Sequence, residues 1–366
     1  MKSVFLFPAL LSAVLIAGCS SKDEPATEKD AAAETVQMTI KAEDKGLYDQ
    51  LTAFFKPLPV PEQTDPQLVE LGRMLYHDTR LSKSNAISCN SCHNLASYGV
   101  DNNPVSVGHG WKTGARNSPT VLNASLHFVQ FWDGRAKDVE EQAAGPMTNP
   151  IEMGAPDHDF VVNRIATIQE YVDRFAKAFP EEEKPVNITN ATKAIGAFER
   201  QLLTPSRFDR FLQGDGEALT ADEKAGAKVF LESGCTTCHL GVAMGGNMYQ
   251  KFGLAKGPYW EYTQSKGRDE GRFEVTRNEA DKYMFKVPGL RNITRTYPYF
   301  HDGSVWSLDE AVRIMALTQL NKELTPEQTS QIVAFLGSLE GEVPEMALQL
   351  PQLPASSSST SKPDLR

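Results

Sequence analysis

The sequence predicts a mainly α-helical chain of two domains. Three observations carry that expectation. Apolar residues recur at helical spacing along most of the chain. Convincing alternating strand segments are absent. The pentapeptide Cys-x-x-Cys-His occurs twice, as Cys89-Asn90-Ser91-Cys92-His93 and Cys235-Thr236-Thr237-Cys238-His239, 146 positions apart. Each copy is a covalent attachment site for a c-type haem. The two thiols form thioethers, and the following His is placed to ligate the iron. A redox Cys-x-x-Cys or half of a zinc site would not place His fifth in both copies. The expected architecture is therefore two cytochrome c-type domains, each a few helices around one buried haem.

The elements follow in order. Met1-Lys2 and the apolar run Val4 to Ala17 form a signal peptide over residues 1–18. Ile16-Ala17-Gly18-Cys19 resembles a bacterial lipoprotein signal, so Cys19 is the expected lipidated residue and membrane anchor. Cys19 is the fifth cysteine of the chain, and the other four belong to the haem motifs, leaving none for a disulfide. Residues 19–45 read as a flexible tether, polar and poor in large apolar side chains. Residues 46–203 form the first domain and 204–345 the second, divided near Leu203-Thr204-Pro205. Asp65-Pro66 reads as a helix start, with Leu68, Leu71 and Leu75 on one face. Val161, Ile165, Ile168, Val172, Phe175 and Phe179 predict one amphipathic helix. Thr220 with Glu223, and Thr325 with Gln328, read as capping boxes, the latter opening a helix that Gly341 would stop. Residues 346–366, rich in Ser and Pro, read as a disordered tail. Beyond the two pentapeptides, little internal identity is visible.

What stands opposite each iron decides the chemistry. For the second haem, Met315 is the best sixth ligand, lying between the Pro298 turn and the last helix; Met284 is its rival. A His/Met iron has a high potential and transfers electrons. For the first haem, His109 sits between Gly108 and Gly110 in the loop 102–114. Flanking glycines permit backbone shapes other residues resist, so this His can bind iron in one state and swing away in another. Of the remaining histidines, His301 borders the second haem in this reading.

These features, with Arg116-Asn117-Ser118-Pro119-Thr120, Gln130-Phe131-Trp132-Asp133-Gly134-Arg135, Ile151-Glu152-Met153, Pro288-Gly289-Leu290-Arg291-Asn292 and Pro298-Tyr299-Phe300-His301, resemble the bacterial di-haem cytochrome c peroxidases. The likeness runs from about Leu71 to Gly341. It implies a first haem that handles peroxide and a second that receives electrons. It implies that His109 closes the first iron in the oxidised protein. Glu152 matches the carboxylate above that iron and Gln142 a polar neighbour. Trp132 matches the tryptophan between the haems. Asn117, Thr296 and Pro298 match a calcium site of neutral oxygen donors. The family also implies hydrogen peroxide as substrate, a cytochrome c or blue copper protein as electron donor, a periplasmic location, and homodimers in many members. The lipoprotein start departs from its soluble members.

The net charge of −10, without a basic stripe, argues against nucleic acid as a partner. Two other functions compete with peroxide reduction. A pure electron-transfer cytochrome needs two permanently closed irons and leaves His109 and Glu152 without purpose. A di-haem enzyme that oxidises a protein substrate carries Tyr where Met315 stands.

Overall fold

The computed structural model describes Met1 and residues 38–365. The signal peptide, Cys19 and the tether as far as residue 37 therefore lie outside the described residues. Helices dominate. They are α1 (Lys45–Phe54), α2 (Pro66–His77), α3 (Cys89–Cys92), α4 (Val139–Thr148), α5 (His158–Ala166), α6 (Gln169–Ala178) and α7 (Ile188–Glu199). Then come α8 (Arg207–Leu212), α9 (Ala221–Ser233), α10 (Trp260–Thr263), α11 (Phe273–Thr276), α12 (Leu308–Leu320), α13 (Pro326–Gly337) and α14 (Glu345–Leu348). A single small sheet pairs β1 (Tyr249–Lys251) antiparallel with β2 (Met284–Lys286) among the described residues. Strands of three residues are too short to show alternation in a sequence.

Local chemistry starts the helices where the sequence places them. Asp65 accepts from the backbone N–H of Gln67 ahead of Pro66. Both capping boxes form, Thr220 with Glu223 and Thr325 with Gln328. The run from Val161 to Phe179 is two helices instead of one. Ile168 takes an extended backbone, and the Thr167 hydroxyl bonds back to Arg164 O at 2.6 Å. Its apolar stripe still faces one core, because Val161, Ile165, Ile168 and Phe175 are all buried. The helix α13 ends at Gly337, four residues before Gly341.

Two main cores result. In the first, α2 crosses α7, with Leu71, Leu75, Tyr76, Ile195 and Phe198 fully enclosed. In the second, α9 crosses α13 around Phe208, Phe211, Phe230, Phe335 and Leu339. Both crossings bring backbones together at a glycine. A Cβ on Gly72 would lie 1.8 Å from Ala194 O, and one on Gly226 1.8 Å from Gln331 O. A second repeat follows each haem motif. Asn123 and Asn292 both sit in the left-handed region and open a short helical turn. Each donates its side-chain amide to the hydroxyl of Thr204 at 2.8 Å. Then Phe131-Trp132-Asp133-Gly134 and Phe300-His301-Asp302-Gly303 form like turns, with positive φ at the Phe and Gly of each. The halves thus share this turn with its Phe, Asp and Gly, and differ at the residue between, Trp132 against His301.

Two expected boundaries need correction. Residues 38–55 do not belong to a tether or to the first core. Thr39 N–H donates to Gly214 O at 2.8 Å, and Leu51 and Phe55 of α1 pack on Phe208 and Phe211. An apolar helical face packs where a complementary surface lies, whatever its place in the chain. Residues 346–365 are likewise packed instead of disordered. Ala347 joins the first core, and Arg80 and Arg164 bind Pro354 O and the Ser361 hydroxyl at 2.8 and 2.7 Å. Ser-rich composition misleads here because buried guanidinium groups supply the partners that water otherwise would. Thr204, at the expected division, is fully buried, and its hydroxyl accepts from both asparagines.

Candidate di-haem active site

The second pentapeptide follows α9 directly. Gly234 closes that helix in the left-handed region (φ +88°), as a C-cap glycine does. Cys235 to Thr237 then form one tight turn. The Nδ1 of His239 lies 3.2 Å from Met244 O. That bond directs Nε2 away from the backbone, the orientation a metal-ligating His needs. Burial pushes the imidazole pKa down to about 4, so it stays neutral. Cys235, Cys238, His239 and Met315 line one largely apolar cavity, together with His301 and Trp132. Met315 lies inside α12, while Met284 begins β2 and does not line the cavity. These residues fit a c-type haem: two thiols, one directed imidazole, an apolar shell and a thioether share one space.

The first pentapeptide forms α3, opened by a Ser88–Ser91 capping box. His93 repeats the pattern of His239, with Nδ1 2.9 Å from Pro119 O and a pKa lowered by burial. The buried Tyr76 hydroxyl donates to His93 O at 2.6 Å, tying the motif to α2. This half too has the donor set for a haem.

His109 is buried in a short turn over residues 109–111. Its backbone N–H donates to Glu152 O at 2.8 Å. The flanking glycines do different work. Gly110 is in the left-handed region (φ +66°). Gly108 has an ordinary φ of −112° but no room, since a Cβ there would lie 2.0 Å from Ile151 O. Gly154 accommodates the imidazole, for its Cβ would lie 2.7 Å from the ring. Glu152 takes a hydrogen bond from Asn149 Nδ2 at 2.7 Å. Burial raises its pKa, against the opposing pull of Arg135 and Asn149. Gln142 is half-buried on α4 and makes no side-chain hydrogen bond among the described residues. The structure thus brings His109 and Glu152 together and leaves Gln142 outside that pair.

Trp132 donates its indole N–H to Asn117 O at 2.9 Å and meets His301 edge to face at 6.3 Å. Asn117 donates its own N–H to His301 O at 2.7 Å and its side-chain amide to Asn103 O at 2.9 Å. This leaves Oδ1 of Asn117 as an oxygen donor. Thr296 and Pro298 line the same cavity as Asn117, so the three expected calcium residues share one region drawn from both halves.

Two features escaped the sequence. Arg116 fans out to Asp133 (2.5 Å), Asp269 (2.5 Å) and Glu274 (3.2 Å), joining the halves beside Trp132. Lys286 donates to His127 Nδ1 at 2.9 Å in the second cavity. Partners 153 and 159 positions apart leave no local signal.

Comparison with known proteins agrees with this geometry. A family model described as di-haem cytochrome c peroxidase matches residues 66–217, and one described as cytochrome c matches 223–340. The chain is 48% identical over 329 residues to the cytochrome c551 peroxidase of Pseudomonas aeruginosa, covering 88% of this chain and 94% of that one. It is 50% identical over 301 residues to the cytochrome c551 peroxidase of Nitrosomonas europaea, covering 82% and 86%. Among solved structures, a MauG-like protein associated with microbial copper homeostasis superposes with a TM-score of 0.69 at 27% identity, covering 81% and 96%. The two family models and relatives of nearly full length place this chain, with its two c-type haem motifs, in the di-haem cytochrome c peroxidase family.

Proposed function

We propose that this protein reduces hydrogen peroxide to water with two electrons and two protons, the electrons coming from a small redox protein such as cytochrome c or a blue copper protein. The names of its relatives at 48% and 50% identity support this reading. The second half, with His239 and Met315 as iron ligands, takes up electrons. The first half, with His93 as the permanent ligand, cleaves peroxide. When bound, the haems supply one-electron storage and an iron at which the O–O bond is broken. Trp132, lying against His301 in the second cavity, shortens the path between them. Asn117 Oδ1 and the carbonyls of Thr296 and Pro298 would hold a calcium ion that ties the halves beside that path.

Glu152 is the acid–base group. It accepts a proton from one peroxide oxygen and returns it to the other as the bond breaks. Its raised pKa suits both roles near neutrality. Gln142 is a neighbouring polar group that helps hold peroxide. His109 is the gate: in the oxidised protein it would ligate a first-half iron, and it would withdraw when the second half gains an electron. A few kcal/mol between the two loop positions is enough to shift the population. The protein works in the periplasm, with an acylated Cys19 as its membrane anchor, and pairs as a homodimer as many relatives of its family do. No described helix is long and apolar enough to cross a membrane.

The observation that carries this reading is the 2.8 Å bond from His109 N–H to Glu152 O, which joins the gate to the acid–base residue. The test is an optical titration, with ascorbate first and peroxide second, with and without calcium. Wild-type protein should react only after half-reduction. His109→Gly should react in the fully oxidised state. An oxidised His109→Gly protein that stays inert with a five-coordinate first iron would remove His109 from the gate.

A further inference from the structure

Two groups of the second cavity take no part in the reaction above. Lys286 is only 4% exposed, and its ammonium donates to His127 Nδ1 at 2.9 Å. His127 belongs to the first half, and its ring is seated on two glycines. A Cβ on Gly246 would lie 2.1 Å from the ring, and one on Gly289 3.0 Å from Nε2. No other side chain can take that seat without displacing the imidazole. Lys286 makes no ion pair among the described residues. Asp133, the acid whose charge acts on it, is bound by Arg116 at 2.5 Å and Arg135 at 3.0 Å. A buried ammonium left with one neutral imidazole is poorly compensated. Yet both side chains line the cavity that also holds Cys235, Cys238, His239 and Met315. A c-type haem brings two propionate carboxylates into such a space. The backbone of Lys286 also reaches Trp132, donating N–H to its carbonyl at 2.8 Å.

We infer that Lys286, seated on His127, is a positioning residue that pairs with a propionate of the second haem and raises that haem's potential. A positive charge beside an iron favours the ferrous state over the ferric one, because reduction adds a negative charge. The pairing also fixes the haem edge relative to Trp132, since one residue holds both. The inference rests on the reading that this cavity binds a His239/Met315 haem.

Spectroelectrochemical titration of the holoprotein tests it, with Lys286→Gln and Lys286→Arg beside wild type. Lys286→Gln keeps a hydrogen-bonding side chain without the charge. It should lower the midpoint of the second haem and leave the first unchanged. Lys286→Arg should keep the wild-type midpoint. A Gln variant with both haems bound and an unshifted second midpoint overturns the inference. So does an Arg variant that falls as far as the Gln variant. Should the Gln variant lose its second haem, resonance Raman spectra of half-reduced wild type and Lys286→Arg decide. Propionate-bending bands of the second haem that differ between the two support the pairing, and identical bands overturn it. A wild-type protein without a second haem spectrum would instead defeat the functional reading, a separate failure.

Discussion

Phe131-Trp132-Asp133-Gly134 and Phe300-His301-Asp302-Gly303 are one turn built twice with different contents. In the first half the turn offers an indole N–H, which binds Asn117 O, and an aspartate held between two arginines. In the second it offers an imidazole and an aspartate bound by its own neighbour, the Ser304 hydroxyl, at 2.8 Å. The halves also bury titratable groups of opposite type without ion pairs among the described residues. Glu199, 4% exposed, lies within electrostatic reach of Cys89, its carboxyl pushed up to about 8 by burial and by Glu140. Lys286 sits by the second motif, burial pushing it down to about 7. An ammonium beside an iron favours the ferrous state, whereas the raised pKa of Glu199 leaves its carboxyl largely uncharged near neutrality. The repeated backbone therefore supplies two haem sites, and the side chains set them apart. On the proposed reading, one added electron would settle in the second half and leave the first ferric, as the peroxide chemistry requires.

The comparison breaks most visibly at the first half. Glu152→Gln should reduce steady-state peroxide turnover by roughly 10²–10⁴-fold, because an amide cannot shuttle a proton. Haem content and the second haem's spectrum should stay as in wild type. A smaller loss would assign the proton transfer elsewhere. The acid limb of wild-type activity should lie above the ordinary carboxylate range, following the raised pKa of Glu152.

At the second half, Met315→His should lower the midpoint potential by replacing a thioether with a stronger donor to ferric iron. Reduction by ascorbate should then slow while the haem stays bound. Met284→His should change neither, since Met284 lies outside the cavity. The reverse outcome would exchange the two methionines and erase the contrast between a fixed and a gated iron.

The smallest effect tests the buried carboxyl. Glu199 has its folded pKa raised to about 8. Its stabilising contribution is complete below the unfolded pKa of about 4.3 and is lost as pH rises towards the folded value. Denaturant unfolding should show stability falling through this window by at most ~1.4 kcal/mol per pH unit. Glu199→Gln should flatten that slope. An unchanged slope would mean that the halves do not differ in this way.

The parts legible in the sequence are those encoded locally. Each pentapeptide, each capping box and the Asp65-Pro66 helix start are contained within a few residues, so their chemistry can be read in place. The apolar face of α1 finds its partners far along the chain, where no local pattern points. Leu51 and Phe55 find Phe208 and Phe211 more than 150 positions away. The same holds for Lys286 and His127, neither of which carries a mark of the other. Gly108 shows a subtler limit. Its need is for space against Ile151 O and not for an unusual φ, and the two causes leave the same letter in the chain. The repeat of Asn123 and Asn292, each eight positions before a Phe-x-Asp-Gly turn, was hidden because its few identical letters are scattered among substituted neighbours.

The loop that carries His109 is pinched shut at its base. The hydroxyls of Ser106 and Ser118 lie 2.7 Å apart, and Gly114 N–H donates to Ser106 O at 3.3 Å. Just inside that base, Arg116 is clamped by its three carboxylates. His109 is therefore on a short leash. Three residues separate it from Ser106, and extended chain covers at most about 3.3–3.6 Å per residue, so its Cα can stray no more than roughly 10–11 Å from the knot. On the proposed gating, His109 would move within that reach, and the rest of the protein would not need to move with it.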